Sequence, residues 1–345
     1  MENKRVLLGM SGGVDSSVAA ILLKEQGYEV IGSTLELCGD TGVSAEAKKI
    51  CDKIGIPHYA YNFKSEFKKH VIEDFINCYA NCKTPNPCIE CNKYMKFGVM
   101  YDKAKELNCN YIATGHYAKT EYSDKYKRWV LKKADNLKKD QSYVLWNMPK
   151  ELVQNIIFPL ADYEDKEKIR EVARKYNLNV ANKPDSEDIC FIPDGNYKKF
   201  LEENSNIKPK PGNIINSDGK VLGKHNGLYN YTIGQRKGLG ISNEVPLFVL
   251  GFNSEKNEVI VGEEKELYKK EIEVNDINLI LIDKINDWID VEVKTRYSSK
   301  VAKAKIKQED SVIKVIFDEP QRAITPGQSA VFYIDDIVLG GGKII

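Results

Sequence analysis

The run Arg5-Val-Leu-Leu-Gly9 passes through Met-Ser-Gly-Gly-Val-Asp-Ser16 straight into a segment whose apolar residues, Val14, Val18, Ile21 and Leu22, recur at helical spacing. The pattern predicts a strand over 5–10, a sharp turn, and a helix over 14–26 that stops at Gly27. A glycine-rich strand-to-helix turn gathers backbone amides and the positive end of the helix dipole at one point, which makes an anion site. Gly12 and Gly13 let the backbone close on a phosphate with no Cβ in the way. Ser11, Ser16 and Ser17 add hydroxyls. Asp15 is the odd member, because a carboxylate repels phosphate; it either caps the helix or holds Mg²⁺ against a nucleotide. No Gly-Lys-Ser/Thr comes after it, so the loop is not a Walker A loop.

Past Gly27 the alternation of strand and helix continues. A strand is expected over Glu29–Leu37, then a helix near 44–54, a strand near 58–63, helices near 65–80 and 92–107, and the strand Tyr111-Ile-Ala-Thr-Gly-His116. This order predicts an α/β fold with a parallel sheet, which places ligands at the carboxyl ends of the strands, where the Ser-Gly-Gly loop stands. Helices are expected around 164–176, opened by Asp162, and around 196–204, opened by Asp194 or Asn196. Lys208-Pro-Lys-Pro-Gly212 reads as a linker. Beyond it the pattern changes to short alternating strands: a hairpin of Val245–Phe252 with Glu258–Val261, then Ile289–Thr295, Ala302–Lys307, Val312–Phe317 and Ser329–Ile334. The expected organisation is a catalytic domain over 1–159, a small helical middle domain over 160–210, and a β-barrel region over 211–345, as one barrel or two small ones in series.

A chain of 345 residues with 42% hydrophobic content has enough material for such cores. Its net charge of +1 means that a polyanionic partner must be met by local basic patches. The start, Met-Glu-Asn-Lys-Arg, does not read as a signal peptide, and no apolar stretch is long enough to span a bilayer, so a cytosolic protein with no membrane partner is expected. Its eight cysteines then read as core residues, catalytic thiols or metal ligands.

Two of these cysteines form Cys88-Ile-Glu-Cys91, after Lys83-Thr-Pro-Asn-Pro87. The prolines exclude a regular helix before Cys88, so the pair stands at the start of the next helix. A helix N-terminus lowers a thiol pKa, and Lys83, Lys93 and Lys96 add positive charge. A zinc knuckle is the alternative, but no second C-x-x-C stands at zinc-ribbon spacing, and Cys78 and Cys82 fit a packed helix. From spacing alone Cys190 reads as a core residue among Ile189 and Phe191, and Cys38, Cys51 and Cys109 receive no role. Near the C-terminus, 294–307 holds no acidic residue, and Lys303, Lys305 and Lys307 alternate with Ala304 and Ile306, giving a basic strand face suited to phosphates.

The Ser-Gly-Gly-Val-Asp-Ser loop resembles that of the ATP pyrophosphatase superfamily, whose members split ATP between the α and β phosphates and adenylate a carbonyl oxygen. The whole chain is similar to the tRNA-specific 2-thiouridylase family. The likeness is carried by Gly9-Met-Ser-Gly-Gly-Val-Asp-Ser16, Thr84-Pro-Asn-Pro87 with Cys91-Asn92, Ala113-Thr-Gly-His-Tyr117, Lys139-Asp-Gln-Ser-Tyr143 and Asp188-Ile-Cys-Phe191. It continues through Tyr231-Thr-Ile-Gly-Gln-Arg-Lys-Gly-Leu-Gly240, Phe317-Asp-Glu-Pro-Gln-Arg-Ala323, Thr325-Pro-Gly-Gln328 and Leu339-Gly-Gly-Gly342. The resemblance implies an N-terminal sheet of the adenine-nucleotide α-hydrolase (PP-loop) type, and an enzyme that replaces the C2 oxygen of the wobble uridine with sulfur.

The same resemblance implies the site residues. Gly9, Met10, Ser11, Gly12, Gly13, Val14, Asp15 and Ser16 would hold ATP, with Leu35 near the adenine, Gly115 on the nucleotide, and Mg²⁺ on Asp15. Cys190 would carry a persulfide, with Cys91 as the nucleophile that can form a disulfide with it. Asn86, Pro87 and Cys88 would surround the target base. His116, Lys139, Asp140, Gln141, Arg296, Tyr297 and Gln328 would contact tRNA. Implied partners are lysine, glutamate and glutamine tRNAs and a cysteine desulfurase or sulfur-relay protein. Many family members have aspartate where this chain has Cys88, so the acid–base role of that position is open. Cys88, Cys91 and Cys190 also raise an alternative in which three thiolates hold a [4Fe–4S] cluster that carries sulfide. The loop at Cys38-Gly-Asp-Thr-Gly-Val43 is shorter than the family's. Two other functions compete: an amidating synthetase of the superfamily, which would not need Cys91 or Cys190, and a tRNA-binding protein with ATP as a structural ligand.

Overall fold

The computed structural model describes residues 4–39, 42–163, 165–182 and 189–345. Its first layer is a five-stranded sheet of β1 (Arg5–Gly9), β2 (Glu29–Glu36), β3 (His58–Asn62), β4 (Tyr111–Ala113) and β7 (Ile156–Ile157) in the order β3-β2-β1-β4-β7. Every pairing is parallel. Val6, Leu7 and Leu8 of β1 are fully buried, as a strand covered on both faces must be. Helix α1 (Val14–Glu25) covers one face. On the other lies a helical run over 87–106, whose middle segment, Cys91–Val99, is wound as a π-helix. A second such run covers 64–80.

The helix Lys166–Lys175 packs Ile169 and Ala173 against α1 in the same core. Its cap is Asp165, whose carboxylate accepts from the Glu167 amide at 2.9 Å. Asp162, the cap expected from sequence, instead pairs with Lys119 at 2.9 Å. Asn196 caps the helix Tyr197–Asn204, as anticipated.

Beyond it, β8 (Gly212–Asn216), β9 (Val221–His225), β10 (Phe248–Asn253) and β11 (Glu258–Gly262) form a four-stranded sheet with its own small core. The remaining strands are β12 (Tyr268–Leu279), β13 (Ile289–Lys294), β14 (Ala302–Glu309), β15 (Val312–Arg322), β16 (Ser329–Ile334) and β17 (Ile337–Ile344). They close into a six-stranded antiparallel barrel, because β12 pairs with both β15 and β17. Leu339-Gly-Gly-Gly342 is part of β17. A Cβ at Gly341 would stand 2.8 Å from the carbonyl of Ala330 and 2.9 Å from the Trp146 ring, so this motif is a close-packing device. A hairpin of β5 (Lys119–Ser123) and β6 (Arg128–Lys132), contributed by the N-terminal half, extends the barrel sheet beside β17. The basic face expected on β14 is balanced across the sheet: β13 places Glu292 opposite Lys303 and Asp290 opposite Lys305. Among the described residues no helix is long and apolar enough to cross a membrane.

The barrel grips the N-terminal half at one functionally placed point. Its turn Thr325-Pro-Gly-Gln328 docks on Thr84-Pro85: the Thr84 amide donates to the Pro326 carbonyl at 2.9 Å, and Gln328 Nε2 donates to the carbonyls of Thr84 and Pro85 at 2.9 and 3.1 Å. Gly327 has φ +89°, and a Cβ there would stand 2.9 Å from Lys83 Cβ and 3.0 Å from the Thr84 backbone. Gly327→Ala is therefore expected to destabilise the protein by about 1–3 kcal/mol, through left-handed strain and the clash together. A thermal melt checks it; an unchanged midpoint would mean that the turn is not held against Thr84.

Candidate active site

The strand order reverses between β1 and β4, and ligands of open α/β sheets bind outside the carboxyl ends of the strands at such a point. The loop after β1 and Gly115 after β4 meet there. A Cβ at Gly115 would lie 3.0 Å from the Ser16 amide nitrogen, so this position must be bare for the two connections to touch. The loop is braced from inside. Ser17 Oγ donates to the Gly13 carbonyl at 2.7 Å, Ser16 Oγ to the same oxygen at 3.2 Å, and the Ser11 amide to Ser16 Oγ at 3.2 Å. Met10 is pinned to β2 through its amide on the Ser33 carbonyl, 2.7 Å, and its carbonyl on Thr34 Oγ1, 2.9 Å. The first-turn amides of α1 have no intrahelical acceptors by construction, so they face the site as donors. Gly12 and Val14 are buried and Gly13 is half-buried.

Asp15 neither caps α1 nor stands alone. Lys166 Nζ contacts both of its carboxylate oxygens, at 2.8 and 2.7 Å, and the Tyr117 hydroxyl donates to one of them at 2.9 Å. Sequence reasoning missed Lys166, since it opens a different helix 151 residues away. Tyr117 was visible only as the last letter of a motif. Asp15 is the residue that would hold a Mg²⁺, and in this structure Lys166 already occupies both of its oxygens.

Beside Gly115, His116 hydrogen-bonds Thr114 Oγ1 through Nδ1 at 2.8 Å and meets Lys96 Nζ through Nε2 at 3.3 Å. An ammonium at Nε2 requires that nitrogen to accept. The ring is therefore neutral with its proton on Nδ1. Burial, then the Lys96 charge, hold its pKa well below the usual histidine value. Asp140 is buried and accepts from the amides of Ala134 and Ser142 and from Ser142 Oγ. Gln141 exchanges hydrogen bonds with the Tyr117 backbone, while Lys139 is half-buried in the same turn. Leu35, at the end of β2, lies half-buried between two cores.

Four cysteines gather at this edge of the sheet. Pro87 takes the first helical position, where its missing N–H costs nothing, with Asn86 before it and Cys88 exposed after it. Cys91 is buried, and burial pushes its thiol up to about 11. That reverses the lowering expected at a helix N-terminus: desolvation of a thiolate outweighs the helix dipole and Lys96. Cys190 is exposed and not a core residue. Phe191 takes the core position instead, edge-on to Phe67 and Phe75. Cys38, which had no role, contacts Cys190: its Sγ stands 3.8 Å from the Cys190 carbonyl oxygen. Interaction between the Cys38 and Cys190 side chains, with the charge of Lys64, lowers the Cys38 thiol; the same interaction, burial of the sulfur within an otherwise exposed residue, and the neighbouring thiols of Cys91, Cys38 and Cys88 raise Cys190. Residues 183–188 of the Cys190 segment, Asp188 included, lie outside the described residues.

A [4Fe–4S] cluster needs three converging thiolates. Cys88, Cys91 and Cys190 are the residues that would hold one, and among the described residues no group of three Cys, His, Asp or Glu side chains is assembled as a metal site.

Tyr297 is exposed, edge-on to Tyr143, with Cys88 among its electrostatic neighbours and Lys294 over its ring at 5.3 Å. Arg296 faces inward: its guanidinium donates to the carbonyls of Ile233 and Ala323, at 3.0 and 2.8 Å, and to Thr325 Oγ1. Arg296 and Gln328 thus hold the protein around the Thr84–Pro87 loop, whereas Tyr297 and Cys88 are left facing outward.

Known proteins match this arrangement over its whole length. A family model described as a tRNA methyl transferase HUP domain covers residues 4–194. Two others, a tRNA methyl transferase PRC-barrel domain and an aminomethyltransferase beta-barrel domain, cover 198–263 and 269–344. The tRNA-specific 2-thiouridylase MnmA of Acetivibrio thermocellus is 48% identical, over 100% of both chains. The proteins of the same name from Clostridioides difficile and Halothermothrix orenii are each 46% identical, over 99% of this chain and 98% of their own.

Proposed function

The chain belongs to the tRNA-specific 2-thiouridylase family, and from that premise we propose that it is an ATP-dependent sulfurtransferase that makes 2-thiouridine at wobble position 34 of tRNA. The observation that carries the reading is the meeting of an anion-binding loop and a thiol cluster at one carboxyl edge of a parallel sheet. Neither alone specifies thiolation. A nucleotide loop without thiols would suit any adenylating synthetase, including an amidating one.

The C2 carbonyl of uridine is a poor electrophile. Its oxygen attacks the α-phosphorus of ATP, pyrophosphate leaves, and C2 then carries an AMP ester. Sulfur attacks C2, and AMP departs with the original oxygen. The α1 amides and Ser11 to Ser16 cradle the phosphates, Gly115 lets the nucleotide lie against the loop, and Leu35 packs near the adenine. Lys166 leaves Asp15 for the departing pyrophosphate. Asp15 would hold Mg²⁺, which would neutralise phosphate charge. Neutral His116 and Lys96 link the nucleotide side to the thiol side.

Asn86, Pro87 and Cys88 receive the extruded base, which costs little to unstack at an unpaired anticodon position. Exposed Tyr297 offers it a ring to stack on. Cys190 carries sulfane sulfur as a persulfide, delivered by a cysteine desulfurase or a relay protein, and Cys91 is its partner thiol. Lysine, glutamate and glutamine tRNAs are the substrates, with His116, Lys139, Asp140, Gln141, Arg296 and Gln328 shaping the surface they meet.

The test is nucleoside mass spectrometry of wobble-uridine tRNA incubated with iron-free enzyme, Mg²⁺, ATP, cysteine and a cysteine desulfurase. 2-Thiouridine is expected, with AMP and pyrophosphate released alongside. Pyrophosphate release without thiolated product, under sulfur-saturating conditions, would overturn the persulfide route. Absence of tRNA-dependent pyrophosphate release would overturn the adenylation reading itself.

A further inference from the structure

The sulfur chemistry proposed above gives Cys190 one partner thiol, Cys91, and the fold supplies another. Cys38 stands just beyond β2 at the carboxyl edge of the sheet, beside the loop after β1. Its Sγ lies 3.8 Å from the Cys190 carbonyl oxygen, a contact made across 152 residues of sequence. Both ends of this contact are anchored. Leu37 and Cys38 pack into the same apolar cluster as Ile189, Phe191 and Cys91. Cys38 is half-buried and Cys190 exposed, whereas Cys91 is buried. No hydrogen bond joins Cys91 to Cys190 among the described residues.

We propose that Cys38 is the thiol that resolves the Cys190 persulfide, an inference that rests on the reading of Cys190 as sulfur carrier. The Cys38 thiolate attacks Sγ of the Cys190 persulfide. A Cys38–Cys190 disulfide forms, the bond from Sγ to the terminal sulfur breaks, and its electron pair leaves with that sulfur as hydrosulfide. The sulfane sulfur is thereby reduced to sulfide, and the two cysteines are oxidised to the disulfide. The hydrosulfide is set free beside the nucleotide loop, attacks C2 of the adenylated uridine, and gives up its proton as AMP departs. A small dithiol or a dithiol protein is the reductant that reopens the disulfide for the next turnover. Resolution by Cys38 leaves the thiol at position 88 free of the redox step and beside the base.

The experiment loads the full-length protein with sulfane sulfur, using a cysteine desulfurase and cysteine, and removes all reductant. Sulfide released on adding tRNA and ATP is trapped as its bimane derivative, and non-reduced peptides are mapped by mass spectrometry. The unsubstituted protein is expected to yield a Cys38–Cys190 linked peptide in step with sulfide release. Cys38→Ser is expected to slow that release by about tenfold or more, with the persulfide persisting on Cys190. A Cys91–Cys190 link in the unsubstituted protein, with release unchanged by Cys38→Ser, would overturn the role of Cys38 and leave the carrier reading standing. Failure to find sulfane sulfur on Cys190 would overturn both. The linked peptide is read without any variant, so the folding of Cys38→Ser does not decide the matter.

Discussion

Serine at Cys190 is expected to abolish 2-thiouridine formation, by on the order of 10³-fold or more, while tRNA-dependent pyrophosphate release survives for a first turnover. The reasons are chemical and local. An oxygen in place of Sγ cannot hold sulfane sulfur in an exchangeable bond, so neither Cys38 nor Cys91 has anything to resolve. The loop of Gly12 to Ser16, Lys166 and the Thr84–Pro87 segment are untouched by the change, so activation of the base goes on without transfer. Because Cys190 is exposed and Phe191 makes the core contacts, the substitution should move stability by no more than about 0.5 kcal/mol. Nucleoside mass spectrometry beside a pyrophosphate assay separates the two steps. Thiolation near the unsubstituted rate would place the sulfur on another residue; loss of both steps would mean that Cys190 supports the nucleotide site.

Lys166→Ala is expected to slow adenylation by about 10²–10³-fold, the usual cost of removing one donor aimed at developing charge. The side chain is 12% exposed and contacts both oxygens of Asp15, which is 31% exposed. In the free enzyme this pair keeps a cation stored at the phosphate loop and keeps the carboxylate from repelling the incoming triphosphate. Without the ammonium, Asp15 retains, among the described residues, the Tyr117 hydroxyl, and it faces the phosphates as an uncompensated charge. Asp15→Ala should also block adenylation while tRNA binding survives. The double variant should be no worse than the sum of its parts, and better if repulsion is the main defect. Lys166→Arg should recover part of the rate, because a guanidinium also pairs with phosphate. Single-turnover pyrophosphate release measures all four. An unchanged rate in Lys166→Ala would reduce the pair to a structural tie between α1 and the helix Lys166–Lys175.

The sequence made the N-terminal layer readable because its signals are local. Strand periodicity, helical periodicity and a glycine turn all lie within a few residues of one another, and the observed strands start and end close to where the pattern put them. The middle helix shows the limit of such signals: Asp162 and Asp165 are both good caps, and only the ion pair with Lys119 removes the first. In the C-terminal half, β12 was missed because its first four residues are exposed and highly polar, with Ile272 and Val274 as its first inward residues. β17 was missed because Gly340, Gly341 and Gly342 carry no side chains from which a strand period can be read, and only the close approach of Trp146 and β12 shows why they are bare. The hairpin of β5 and β6 belongs by sequence to one half and by hydrogen bonding to the other.

By itself the sequence determined the chemistry on offer: a phosphate-binding turn at the end of β1, a C-x-x-C behind two prolines, and a chain able to bury several cores. Tertiary structure decided which groups meet. It brought Lys166 to Asp15, set Gln328 under the Thr84–Pro85 carbonyls, turned Arg296 inward, exposed Cys190 by giving the core to Phe191, and delivered Cys38 to its side. The physical reason is that periodicity and turn chemistry act over a few residues, whereas a thiol's reactivity and a carboxylate's partner depend on burial and charge supplied from more than a hundred residues away.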